Sequence, residues 1–353
     1  MILQQGHFFL WAMVLKINIV YIYSMRQLNN IKIIILLMLF PLFPEAQLLP
    51  GFKATSTFNE QELALSESWK SVTGSINAPL NFNRKGKTFI IIYALPNGNS
   101  IEWTKGKKMK PGDDWHFDIQ HIAAQTRYIR SLDKKNNYIV AYLATEQKSW
   151  PAWRRNTAHS IILIRDIMES LSGLFKAYDP KIILNGHSGG GSFIFGFLDA
   201  VEEIPDKVVR IAFLDSDYGY EDSLHTIKLA GWLNRSNDHK LVVLAYNDSL
   251  VIFNGKPLVS PTGGTWYRSR LMQRKLALSF SFSTVSDTAF IRHEALDGRI
   301  LFMLKENPAG LIYHTEQVAR NGFILSVLSA TGFNKKKNFT YFGERIYEKY
   351  ISD

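Results

Sequence analysis

The chain predicts an α/β fold in which a mostly parallel central sheet carries helices on both faces, and three observations point there. Short apolar runs alternate along the chain with segments of helical spacing. A glycine-rich turn joins one such run to a helix. With 353 residues, 46% of them hydrophobic and 20% charged, there is enough apolar material for one large core. One domain spanning residues 47–353 is therefore expected.

After a polar lead-in around Ser56 to Ser75, Lys87–Tyr93 reads as a buried strand ending at the turn residues Pro96-Asn97-Gly98-Asn99-Ser100. Asp118–Leu132 has helical spacing, and Tyr138–Leu143 is the next strand. A loop rich in Trp and Arg, Trp150–Arg155, leads to Asn156 or Thr157 as helix cap and a long helix to about Phe175. The strand Ile182–Leu184 then meets Gly186-His187-Ser188-Gly189-Gly190 and the helix-like run Phe193–Leu198. Two further strands, Val208–Leu214 and Lys240–Tyr246, end at Asp215-Ser216-Asp217 and Asn247-Asp248. Phe290–Glu294 and Arg299–Leu304 flank Leu296-Asp297-Gly298, which predicts a late antiparallel hairpin. Finally Leu311–His314 precedes a helix over Thr315–Leu328. Strands alternating with helices imply right-handed crossovers and a parallel core.

A formal net charge of +10 raises the question of nucleic acid, but the basic residues are scattered and the clusters Lys105-Gly106-Lys107-Lys108 and Lys335–Lys337 fall in apparent loops. No nucleic-acid partner is expected. The absence of cysteine excludes disulfides, thiolate metal sites and a cysteine nucleophile. Near the N-terminus Arg26 and Lys32 precede the apolar run Ile33–Phe40, which closes on Pro44-Glu45-Ala46-Gln47. This pattern predicts a signal peptide over residues 25–46, cleaved near Ala46, an exported (secreted or periplasmic) protein, and no membrane span in the mature form. Residues 1–24, a second apolar stretch broken by Lys16, read as an extension ahead of a start at Met25.

The turn at Ser188 carries the chemistry. A serine held between a strand and a helix projects its hydroxyl from the end of the sheet, and the first amides of the following helix have no intrahelical partner. The alternative is a glycine turn that merely packs helix on sheet; phosphate-binding patterns do not fit, because no Gly-Lys-Ser/Thr follows. A serine hydroxyl needs a base and a group that orients the base. Functional residues of an open parallel sheet gather beyond the C-terminal strand ends, where Ser188, Asp248 and His314 are each expected.

In this nucleophile turn and in the chain order Ser, Asp, His, residues 80–335 resemble the α/β-hydrolase superfamily. The resemblance implies a serine esterase in which Ser188 is the nucleophile, His314 the general base and then acid, and Asp248 the histidine's partner. Asp215 and Asp217 are competing acids, and His225 and His293 are weaker candidates for the base. His187 is not assigned the base, since adjacent side chains at this turn point apart. The resemblance also implies oxyanion donors after an early strand, assigned to the backbone amides of Gly189 and Asn99.

Asp113–His121 offers several oxygen and nitrogen ligands, but His116 and His121, five residues apart, do not share a helical face. Neither a metal nor an organic cofactor is expected. Trp150, Trp153 and Arg154 are candidate substrate contacts, and Trp103, Trp115 and Trp266 also fall in predicted loops. The expected substrate is a small-molecule or glycan-linked carboxylic ester. Peptidase or acyltransferase chemistry would use the same triad, and a silent glycan- or peptide-binding protein on the same frame is the rival from another class.

Overall fold

Eleven strands form one mixed sheet in a computed structural model that describes residues 48–353. The signal peptide and extension expected over residues 1–46 lie outside the described residues. The strands are β1 (Lys53–Ala54), β2 (Glu60–Trp69), β3 (Val72–Pro79), β4 (Thr88–Ala94), β5 (Asn137–Thr145), β6 (Lys181–His187), β7 (Val208–Leu214) and β8 (Lys240–Tyr246). A separate ribbon pairs β9 (Ile252–Phe253) with β10 (Lys256–Pro257), and the large sheet is completed by β11 (Ser283–Ser286), β12 (Phe290–Ala295) and β13 (Ile300–Lys305). Their order is β1-β2-β3-β5-β4-β6-β7-β8-β13-β12-β11.

The centre, β5-β4-β6-β7-β8-β13, is parallel throughout. Its strands are buried on both faces, which is why they read as unbroken apolar runs rather than alternating ones. Ile90, Ile92, Leu184, Phe213 and Val243 point into one core. Ile91, Tyr93, Ile183, Ala212 and Val242 point into the other. The first core is closed by helices α3 (Trp150–Asn156), α4 (Ser160–Leu174), α5 (Gly191–Ala200), α6 (Asp222–Arg235) and α7 (Thr265–Leu276). The second is closed by α2 (Ile122–Leu132) and α9 (Gly322–Leu328), the latter preceded by the short α8 (Glu316–Ala319); α1 (Ile101–Lys105) follows β4. This is the architecture expected from the sequence, a mostly parallel central sheet with helices on both faces. The late hairpin is present as β12–β13, its turn taking positive φ at Leu296, Asp297 and Gly298. No helix among the described residues is long and apolar enough to cross a membrane.

Four local expectations are corrected. The polar lead-in is in fact β1 to β3, an antiparallel extension joined to β5. Its polar residues are buried with partners: Glu60 accepts from Arg127 at 2.9 Å and Arg130 at 2.7 Å, and Gln61 accepts from the Leu49 amide at 2.7 Å. The Trp/Arg loop is helix α3, capped by Ser149, whose Oγ accepts from the Ala152 amide at 3.3 Å. The long helix expected to follow begins only at Ser160, after the left-handed His159 (φ 58°). The helix over 315–328 is broken in the same way at Asn321 (φ 68°).

Candidate active site

Strand β6 ends at His187, and Ser188 adopts φ 54°, a left-handed conformation unfavourable for a residue with a Cβ, before the chain turns into α5. The turn is tight because β4 and β6 are neighbours. A Cβ at Gly190 would stand 2.1 Å from the Ala94 carbonyl oxygen, a backbone atom that cannot yield. Gly190→Ala is therefore expected to cost about 3 kcal/mol of stability; urea unfolding checks this, and a loss below about 1 kcal/mol would mean that the turn relaxes.

His314 lies on the loop before α8, with its ring about one quarter exposed. Its Nδ1 is in very short hydrogen-bond contact with Asp215 Oδ2. Asp215 is fully buried just past β7, itself left-handed at φ 48°, and its amide donates to the Leu244 carbonyl at 2.7 Å. With Nδ1 directed at the carboxylate, Nε2 is the ring nitrogen left for proton transfer. The neighbour of Ser188 supports this ring from beneath: His187 Nε2 donates to the His314 carbonyl at 3.1 Å, and the two imidazoles lie 4.5 Å apart. Burial, and after it the nearby His314 charge, push the His187 pKa well below the usual range, so His187 is neutral. Its one N–H then sits on Nε2, and the buried Nδ1 has no partner.

The histidine's partner is thus Asp215, where Asp248 was expected. Asp248 is buried beside it and does different work. Its Oδ2 accepts from the Thr265 amide at 2.8 Å and its Oδ1 faces the Trp266 amide at 3.4 Å, so it caps the N-terminus of α7. The Thr265 hydroxyl donates to Asp215 Oδ1 in a very short contact and also lies 3.3 Å from Asp248 Oδ2, bridging the two carboxyl groups. Asp217, the other competitor, accepts from Ser269 Oγ at 2.8 Å, and burial foremost holds its carboxyl well above the usual range. Nothing in the sequence signals Thr265.

Burial and the Asp215 charge push Asp248 up to about 6 from 3.8. An acid whose folded pKa is raised binds its proton more tightly when folded, so stability falls as pH rises from about 4 to about 6. Asp248→Asn is expected to remove roughly 3 kcal/mol of that decline, the equivalent of about two pH units. Urea titrations at pH 4 and 6.5 read the difference; equal declines in the two proteins would contradict a perturbed Asp248.

The residues expected to form the oxyanion hole lie on the turn after β4 and on the elbow. The Asn99 amide faces the Pro96 carbonyl at 3.4 Å and the Gly98 amide donates to the Lys148 carbonyl at 2.8 Å, so both belong to the turn. Asn97 is the residue on the elbow: a Cβ at Gly189 would fall 2.0 Å from its Oδ1.

Trp150 and Trp153 are fully buried, edge-to-face with each other at 5.5 Å and, for Trp150, with Phe193 at 4.8 Å. They are core residues of α3 and not substrate contacts. Arg154, on the same helix, does border the site. It pairs with Asp199 at 2.7 Å and donates to the Ser192 carbonyl at 3.0 Å, and with Pro151, Ser188, Gly189, Ser192 and Tyr218 it lines a cavity of about 210 Å³.

No protein-family model and no curated protein matches the chain. Among solved structures, it is similar to a feruloyl esterase module from Clostridium thermocellum complexed with sinapinate (11% identity, TM-score 0.48), covering 78% of this chain and 89% of that one. A glucuronoyl esterase from Solibacter usitatus is 10% identical at TM-score 0.43, covering 78% of this chain and 84% of that one. A predicted CIB-like hydrolase from Thermoplasma acidophilum is 9% identical at TM-score 0.38, covering 75% and 97%.

Proposed function

We propose that this chain is a serine ester hydrolase with Ser188 as nucleophile, His314 as base and Asp215 as the acid that orients it. The observation carrying this reading is the pairing of His314 with buried Asp215 while its carbonyl and ring rest on His187, the residue adjoining a left-handed Ser188.

Asp215 fixes the imidazole tautomer and stabilises the imidazolium as it forms. Nε2 takes the Ser188 proton, and Oγ adds to the ester carbonyl. The Gly189 amide, with the Asn97 side chain packed against Gly189, is assigned to the developing oxyanion. The imidazolium then returns its proton to the leaving alcohol, and water activated by the same histidine releases the acyl group.

Labelling with a fluorophosphonate tests the proposal. Wild type is expected to be modified at Ser188 and Ser188→Ala to remain unmodified; a folded wild type that stays unlabelled would falsify the nucleophile. Export from a signal peptide over residues 25–46 is part of the proposal, and a secreted protein that does not begin near Gln47 would remove it.

A further inference from the structure

An aromatic stack that the proposed catalytic groups do not use ends at Trp115, which shares a cavity with Thr315, the neighbour of His314 in the chain. Trp103 of α1 lies 4.3 Å from His116 with planes 12° apart, and His116 lies 4.0 Å from Trp115 at 29°. Lys148 stands over the Trp103 ring at 5.4 Å, and Asp114 anchors His116 through its ring and, at 2.9 Å, its amide. Trp115 at the open end is held in place yet 64% exposed. An indole stacked on one face and presented to water on the other is a contact surface.

Trp115 walls a cavity of about 310 Å³ together with Met109, Asp118, Thr315, Glu316 and Arg345. Thr315 adjoins His314 in the chain. Glu316, Ala319 and Arg345 also line a second cavity of about 580 Å³, so the two adjoin as one groove. We infer that this groove binds the sugar units of a glycosyl ester, with the first ring stacked on Trp115.

The position follows from the chemistry of the proposed serine hydrolase, on which this inference rests. The protonated base must reach the leaving oxygen, so the alcohol half of the ester lies on the His314 side. The acyl half then occupies the smaller cavity at Ser188 and Gly189, which suits a short acyl group. The lining selects a sugar over an aryl alcohol. An aromatic ring would strip water from Glu316 and from the Asp118–Arg345 ion pair (2.6 Å) without replacing it, at a cost. A pyranose offers an apolar C–H face to the indole and hydroxyls to the carboxylates and the guanidinium.

The test compares O-acetylated xylo-, manno- and gluco-oligosaccharides with phenethyl acetate, which has the same acyl group on an aryl alcohol. At least one oligosaccharide is expected to exceed phenethyl acetate in kcat/KM. Trp115→Ala should reduce kcat/KM for that sugar at least tenfold more than for phenethyl acetate, mainly through KM, with Trp115→Phe recovering part of the loss. Equal losses on the two alcohols, or no sugar preferred over phenethyl acetate, would overturn the inference. Calorimetric binding of the same oligosaccharides to Ser188→Ala, with and without Trp115→Ala, separates the two claims. Trp115-dependent binding by a protein that fluorophosphonate never labels supports the groove and removes the hydrolase, whereas a labelled enzyme indifferent to sugar removes the groove alone.

Discussion

Asp215→Asn is expected to lower kcat for an acetyl ester by about four orders of magnitude, with KM little changed. The amide of asparagine can present its NH2 to His314 Nδ1 and favour the tautomer that carries its proton on Nε2, where the nucleophile's proton has to go. No positive charge on the ring would then be offset by the buried carboxylate. Asp248→Asn is expected to cost less than about tenfold, because Asp248 meets the amides of α7 and reaches Asp215 only through Thr265. Steady-state kinetics on 4-nitrophenyl acetate ranks the two, and a larger loss for Asp248→Asn would move the acid back to the β8 end.

The second large effect is at the nucleophile. Ser188→Ala is expected to remove about five orders of magnitude or more from kcat while leaving the unfolding midpoint unchanged, because alanine carries the same Cβ into the same left-handed backbone. Ser188→Gly is expected to be equally inactive and no less stable, since glycine escapes about 1 to 2 kcal/mol of left-handed strain and pays part of it back in unfolded-state entropy. Measurable turnover in a verified Ser188→Ala preparation would contradict the covalent route. A Ser188→Gly protein clearly less stable than wild type would mean that the elbow is not strained.

The parallel core was legible because burial on both faces leaves no room for polar residues, so β4 to β8 stand out as apolar runs. The elbow was legible because its glycines have a local steric cause. β2 was hidden because Glu60 and Gln61 are buried at the cost of partners 12 to 70 residues away, which no local pattern displays. Trp150 and Trp153 looked like loop aromatics because the prolines and arginines around them mask a short helix that buries one face. Asp215 and Asp248 both follow strands that end in the same region, so the chain order Ser, Asp, His is satisfied by either. Only the path of the loop bearing His314 decides between them, and that path depends on long-range contacts such as His187 to the His314 carbonyl.

In the proposed triad the orienting carboxylate sits at the end of β7, so the exposed ribbon side chains Ile252 and Phe253 have no part in aligning the imidazole. The ribbon tip can vary, provided Val251 stays buried, the Leu250 carbonyl still packs against Gly310 of the His314 loop, and Asp248 still meets the first turn of α7. On that proposal proton relay and peripheral variation fall to separate pieces of chain, and exchanging only the exposed tip Ile252–Pro257 for a foreign turn is expected to leave turnover intact.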